Sequence, residues 1–541
     1  MRRIFLFGSI SILLLTAGLS FWSSHVLWTL LLTAPLIIEG FRDYLQKSQA
    51  IKRNFPLLGR FRYVFEAIRP EINQYFVESN TDGVPFSREK RSVVYQRAKG
   101  QVDTLPFGTQ QDVYAEGYEW VSHSLAPTHI GPEHMRVMVG GPDCLQPYSA
   151  STLNISAMSY GSLSKNAIQA LNGAAKDGGF AHNTGEGGLS PYHLENGGDL
   201  IWQIGTGYFS CRNTDGSFSE ELFADKSKHP SVKMIEIKLS QGAKPSHGGI
   251  LPASKVTLEI SRIRNVPMGF DVVSPPAHSA FSTPLEMIAF IKKLRTLSGG
   301  KPIGIKLALG KKREFLAICK AMQQTGIAPD YIAVDGGEGG TGAAPLEFSN
   351  HVGSPGVDAL VFIHNALVGF NLRSKIKIFN SGKVTTGFEM LKRIALGADV
   401  IYCARGMLLS LGCIQALKCN TNHCPTGVAT QDPQLVAGLV VSDKRKRAAN
   451  FHRETVSSFK HMIEAMGLAH PAALRPWHVL RRSASQQVRS YGDIYEYIEP
   501  GALMAEEVAE PWASLLEDSS ADTFGHSSVR AQQRDRFRRA G

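Results

Sequence analysis

From Leu153 onward, short apolar runs alternate with stretches of helical periodicity, and that alternation leaves few architectures open. The strand candidates are Leu153–Ala157, Phe180–Asn183, Lys233–Leu239, Gly269–Ser274, Ile303–Leu307, Tyr331–Val334, Ile376–Phe379 and Val400–Cys403. Before the last of them, Phe388, Leu391, Ile394 and Ala395 make one apolar helical face, with Thr385 and Thr386 placed to cap it. Eight strands alternating with helices, many ending in glycine, predict an α/β chain folded as a (β/α)8 TIM barrel. An open doubly wound sheet is the rival, but eight parallel units without a reversal do not suit it. No tandem sequence repeat is evident beyond the alternation itself.

In such a barrel, chemistry belongs at the C-terminal ends of the strands. Polar motifs collect there: AMSYGS from Ala157 to Ser162, NTGEGG from Asn183 to Gly188, then Lys238, Gln241 and Lys244, then Lys306. The last three strands end in DGGEGGTGAAP, NSGKVTTG and CARG, the last two where barrels commonly bind a phosphate. Each glycine motif alone is more often plain loop geometry than a ligand site. Lys238 and Lys306 are more telling, because an unpaired ammonium in an apolar strand is costly. Glu186 stands open between a loop carboxylate and a working one.

The stretch Gly397–Gln431 adds three cysteines, Cys413, Cys419 and Cys424, spaced C-x5-C-x4-C after the final strand. Three thiolates within a dozen residues suit a metal or an iron–sulfur cluster. Two other readings remain: a zinc site completed by His423, although neither gap matches the usual C-x2–4-C pairing, and an unremarkable buried set. Cys403 lies inside the last strand and reads as core.

The chain of 541 residues is 43% hydrophobic, and its 52 glycines fit many ligand-lining turns. A net charge of +11 would allow a nucleic-acid partner, but the basic residues are not interleaved with aromatics on one face, so none is expected. Seven cysteines without a paired framework indicate a reducing compartment. From Ile4 to Ile38 there is no Lys, Arg, Asp or Glu, and GLSFWSSH from Gly18 to His25 breaks that run. Two spans, Ile4–Leu19 and Val26–Ile38, then form a transmembrane hairpin over residues 1–40. Arg2 and Arg3 before it and Arg42, Lys47, Lys52 and Arg53 after it place the body on the cytoplasmic side of the inner membrane, near lipid. A cleaved signal peptide is the alternative, and it leaves the second apolar run unexplained. Residues 41–109 read as a basic connector whose Leu57, Phe61, Val64 and Phe65 cover part of the body. Residues 471–541 read as an extension, basic around Trp477 and disordered in its Gly/Ser-rich tail.

The cysteine spacing followed by CPTGVATQ, with AMSYGS, GEGG, EIKLSQGAKP, IKL, GGTGA-x-P and SGKVTTG upstream in the same order, resembles the FMN domain of glutamate synthase over roughly residues 110–470. The resemblance implies FMN and a 3Fe–4S cluster held by Cys413, Cys419 and Cys424. It implies reductive amination of 2-oxoglutarate with ammonia to L-glutamate. Lys238, Gln241 and Lys244 would bind the dicarboxylate, with Lys238, Lys244 and Glu186 as the catalytic set and Glu186 near the ammonia entrance. Ala157, Met158, Ser159, Lys306, Gly337, Gly382, Gly397, Arg405 and Gly406 would bind FMN. The chain departs from the long enzymes at VDGGEGG, where they have GHDGG, and at His247, where they commonly have Glu. It is more similar to the short, membrane-associated members. No G-x-G-x-x-G unit follows a strand, so electrons are expected from ferredoxin or a partner flavoprotein. The same cofactors acting on another imino acid, or an electron-transfer subunit without its own substrate, are the alternatives.

Overall fold

The computed structural model describes residues 1–527 apart from 102, 103, 105 and 485, and the chain falls into two compact units, Met1–Arg88 and Glu89 onward. In the first unit the charge-free run becomes helices Arg2–Ser20 and Leu30–Leu45, joined through the 3-10 turn Ser24–Thr29. The segments Arg2–Ser20 and Ser24–Leu45 are long and apolar enough to cross a membrane by length and composition. Arg60 grips the end of the second helix, donating from Nε to Asp43 Oδ2 at 2.7 Å and from Nη2 to Asp43 Oδ1 at 2.9 Å. Within this unit, Phe61, Val64 and Phe65 of helix Gly59–Ile72 are exposed.

The second unit is built on eight parallel strands closed into a barrel: β1 Leu153–Ile155, β2 His182–Asn183, β3 Leu200–Ile204, β4 Val232–Lys238, β5 Ile303–Ala308, β6 Tyr331–Asp335, β7 Lys377–Ser381 and β8 Val400–Cys403. The ring closes where β8 pairs with β1, Ile401 against Leu153 and Cys403 against Ile155. Helices follow most strands and are stopped and started by their own sequence. Thr283 and Glu286 form a capping box before helix Pro284–Leu297, and Thr386 and Glu389 form one before helix Gly387–Ala395. Of the two threonines expected to cap that helix, Thr386 is the cap.

One expected strand is replaced. Gly269–Ser274 is not in the barrel; Val272–Val273 pairs antiparallel with Ile250–Leu251 in a small hairpin outside it, with Phe270 and Val273 exposed. The ring takes β3 instead, whose LIWQI is buried at every position. Its Gln203 breaks the apolar run because it points at a polar partner inside the barrel, donating to Glu236 Oε1 at 2.7 Å.

The barrel's N-terminal end is plugged. Strands Arg136–Val139 and Tyr148–Ser151 pair antiparallel there, and Val139, Tyr148 and Ala150 join Ala181, Ile201, Met234, Tyr331, Ala333, Phe379, Val400 and Tyr402 in one core cluster. On the outside, Val479–Ala484 pairs with Glu119–Val121 and Gln487–Ser490 in a three-stranded sheet. The start of the tail is packed rather than loose: Lys320 Nζ donates to the Ser519 carbonyl at 2.9 Å and Arg313 Nη1 to that of Phe524 at 2.8 Å. Residues 528–541, the rest of the stretch expected to be disordered, lie outside the described residues.

Candidate active site

Residues two apart on a strand face the same side, so Glu236 and Lys238 both point into the barrel from β4. Glu236 is fully buried and accepts from Asn183 Nδ2 at 2.8 Å, Gln203 Nε2 at 2.7 Å and the Tyr402 hydroxyl at 2.9 Å. That network is satisfied and closes the layer beneath the mouth. Lys238 stands above it, with Nζ 2.6 Å from Glu186 Oε1 in the loop after β2.

Glu186 is held by more than one cation. Burial pushes its carboxyl up, but Lys238, Lys244 and Arg264 together outweigh burial and hold it below the usual carboxylate range. Burial draws the Lys244 ammonium down to about 8, against the pull of Glu186. Arg264 is also buried and drawn down to about 10, with Nη2 donating to the Tyr160 carbonyl at 2.8 Å and Nε without a partner among the described residues. The turn geometry makes room for this cluster: a Cβ on Gly249 would fall 2.5 Å from Glu186 Oε1, and one on Gly187 2.7 Å from Arg264 Nη2. His278 supports Lys238 from behind. Its Nε2 donates to the Lys238 carbonyl at 2.9 Å and its Nδ1 faces the Tyr208 hydroxyl at 3.0 Å, while burial draws its pKa to about 4 and keeps it neutral. Three cations around one carboxylate leave two net positive charges, matching a dicarboxylate dianion. Gln241 Nε2 is buried with no partner among the described residues, a donor waiting for an acceptor.

Lys306 Nζ, on β5, lies 3.8 Å from Asp335 Oδ2, and Asp335 is itself fixed by the Ser381 hydroxyl at 2.7 Å and the Gly242 N–H at 3.0 Å. Arg405, just past β8, donates from Nη2 to the Glu338 carbonyl at 2.6 Å. Gly382 and Gly406 follow β7 and β8 at this same end, where a Cβ on Gly382 would meet Glu338 Oε1 at 2.8 Å. Met158 is committed through its backbone, its N–H to Asn183 O and its carbonyl to His193 Nε2, both at 3.0 Å. Beside it, Ala157 and Ser159 continue the turn after β1, with Ser159 Oγ 3.1 Å from Ser162 Oγ.

One residue expected at the cofactor lies away from the mouth. Gly397 precedes β8, so it lies at the opposite, N-terminal end of the barrel, where its carbonyl accepts from Arg373 Nη2 at 2.9 Å. Gly337 stays at the mouth, two residues past β6, with its N–H donated to the Ser354 carbonyl at 2.8 Å. The mouth residues fit a flavin phosphate and ring by donor type: glycine turns without Cβ atoms and the cations of Lys306 and Arg405.

Cys413, Cys419 and Cys424 lie in the loop leaving the mouth. Among the described residues no three of His, Cys, Asp and Glu are gathered closely enough to hold a single metal ion. The thiols nevertheless act on one another. Burial and then its two partners push Cys413 up to about 11, whereas at Cys424 the Thr426 hydroxyl and backbone N–H groups outweigh burial and lower it. The buried Lys255 ammonium lies beside Cys419 and Cys424. Thiolate donors on separate irons, next to a buried cation, fit a cluster by chemistry and charge.

Arg264, His278, Glu236 and Lys255 are absent from the sequence-derived set. Arg264 and Lys255 sit in the excursion between β4 and β5 and carry no motif that marks them.

Residues 142–469 match the conserved region in glutamate synthase. The Bacillus subtilis (strain 168) protein YerD, named a glutamate synthase large subunit-like protein, is 38% identical over 496 residues, covering 84% of this chain and 94% of its own. An archaeal-type glutamate synthase (NADPH) of Thermotoga maritima is 37% identical over 322 residues, 59% of this chain; the match spans 60% of that protein's length. A solved structure of a mutant flavocytochrome b2 with benzoylformate aligns at TM-score 0.42 and 13% identity, over 87% of this chain and 99% of its own. On the extent of these sequence matches, the chain belongs to the glutamate synthase family.

Proposed function

We propose that the protein is an FMN- and iron–sulfur-dependent oxidoreductase that forms L-glutamate from 2-oxoglutarate and ammonia. The observation that carries this reading is the convergence of Lys238, Lys244 and Arg264 on Glu186 at the barrel's mouth. The dicarboxylate displaces part of the Glu186 pairing and takes the three cations for its two carboxylates. Gln241 donates its unpartnered amide to the substrate's remaining oxygen. Glu186, freed from part of its ion pairing, orients ammonia beside the keto carbon, where C–N bond formation and loss of the keto oxygen as water give 2-iminoglutarate.

Ala157, Met158, Ser159, Lys306, Gly382, Arg405 and Gly406 would hold FMN, which when bound supplies the hydride to the imine carbon. Lys306 places a positive charge, steadied by Asp335, where negative charge builds on the ring. Cys413, Cys419 and Cys424 would hold the 3Fe–4S cluster, which when bound relays electrons from ferredoxin or a partner flavoprotein. The two apolar helices of the first unit, flanked by Arg2, Arg3, Arg42, Lys47, Lys52 and Arg53, support anchorage in the inner membrane with the barrel in the cytoplasm.

Anaerobic mixing of reduced enzyme with 2-oxoglutarate and ammonium tests the reaction. Flavin reoxidation that requires both, with glutamate as product, is the expected result. Reoxidation by a different 2-oxoacid alone would move the substrate. None by any acid would leave an electron-transfer role.

A further inference from the structure

Lys255 closes the short turn Ala253–Lys255 and is 2% exposed. Its ammonium has three protons, and three backbone carbonyls take them: Ser162 at 3.0 Å, Cys419 at 2.8 Å and Ala429 at 2.8 Å. Ser162 ends the AMSYGS turn after β1, whereas Cys419 and Ala429 belong to the cysteine loop. One side chain therefore ties the loop to the turn. Gln431 repeats the tie, donating from Nε2 to the carbonyls of Gly161 at 3.0 Å and Leu163 at 2.8 Å.

Carbonyl dipoles compensate a buried ammonium only in part, and an unpaired buried charge is expensive. Two of the three carbonyls it holds, those of Cys419 and Ala429, belong to the loop that carries Cys419 and Cys424, so the ammonium is fixed against that loop by geometry. A purely mechanical tie would be served as well by a neutral donor, at less desolvation cost. The buried charge is accounted for when the loop carries net negative charge, as three thiolates on an iron–sulfur group do.

We infer that Lys255 is a positioning residue for the cysteine loop, pinning it to the turn after β1 and favouring the reduced, more negative state of the iron–sulfur group. The inference rests on the cluster reading given above. Full-length protein, loaded with flavin and purified anaerobically, is assayed for iron, sulfide, FMN and melting temperature. The cluster is titrated by low-temperature EPR, and hydrogen exchange is followed over residues 413–431.

Lys255→Met should keep its FMN, exchange faster in that loop, and shift the reduction equilibrium at least tenfold toward the oxidised cluster, ~59 mV for one electron. Lys255→Arg should recover most of that shift. If the Met variant is too labile to hold iron but keeps FMN and melting temperature, with the Arg variant iron-loaded, positioning is again supported. An iron-loaded Met variant with unchanged potential and exchange overturns the inference while leaving the cluster reading intact. Loss of iron, flavin and melting temperature together in both variants also overturns it, by making Lys255 a general fold element. Iron-free wild-type protein overturns the cluster reading and this one with it.

Discussion

Lys244 gives up its proton near pH 8, more readily than an exposed lysine, because its ammonium is buried and only partly compensated by Glu186. The sign of the consequence is fixed. Below about 8 the group is charged and attracts a dianion; as pH rises through that value the charge is lost. The KM for 2-oxoglutarate should therefore climb above pH 8, by up to about tenfold per unit for one linked proton. Lys244→Met should be weak at every pH and lack that limb, which steady-state rates across pH 6.5–9.5 would show. Arg264, drawn down to about 10, keeps most of its charge through the limb near pH 8, so Arg264→Met should raise KM and leave that limb in place. Loss of a charge-assisted contact of about 1.5–3 kcal/mol corresponds to roughly ten- to a hundredfold. Flavin content should hold in both variants, since neither side chain belongs to the glycine turns after β7 and β8. If either variant kept the wild-type KM while folded, the dicarboxylate clamp would be wrong.

At the scale of elements, the cysteine loop and the flavin turns are separate pieces of chain. Cys419→Ser should consequently lose its iron while retaining most FMN, as metal analysis and the visible spectrum would report. Loss of both together would make the loop part of the flavin site. Helix Pro284–Leu297 offers an independent check on the fold. Thr283 Oγ1 accepts the Glu286 N–H at 3.1 Å, and Thr283→Ala should cost about 1 kcal/mol in denaturant unfolding without touching activity. Such local signals are what made most of the barrel legible: Ile303–Leu307, after Pro302, and Tyr331–Val334, between Asp330 and Asp335, are short mainly apolar runs and lie in β5 and β6. β3 escaped because Gln203 interrupts its pattern, and its reason for being polar, Glu236, is distant in sequence. Phe270 and Val273 imitated a barrel strand while lying at the surface, outside the ring. The site was legible where lysines interrupt apolar strands. It was illegible at Arg264, whose partners Tyr160 and Glu186 come from other turns and leave no spacing to read. Gly397 misled because a glycine beside a strand does not say which end of the barrel it occupies.

For the molecule as a whole, the boundary after Arg88 is a natural place to cut. Removing residues 1–88 should yield a barrel that binds FMN without detergent, because β1 begins at Leu153. In the full chain, a reporter fused after Lys47 should be cytoplasmic, and periplasmic activity at that position would reject the hairpin. The excursion from Leu239 to Phe281 has a bearing on ancestry as well as on chemistry. It supplies Arg264 and Lys255, yet β4 and β5 pair directly with each other, Lys238 beside Lys306, without it. The pairing that closes the ring therefore does not run through that insert. Exchanging the insert among family members should transfer preference for one acid over another, making it the portable unit of selectivity on a conserved chassis.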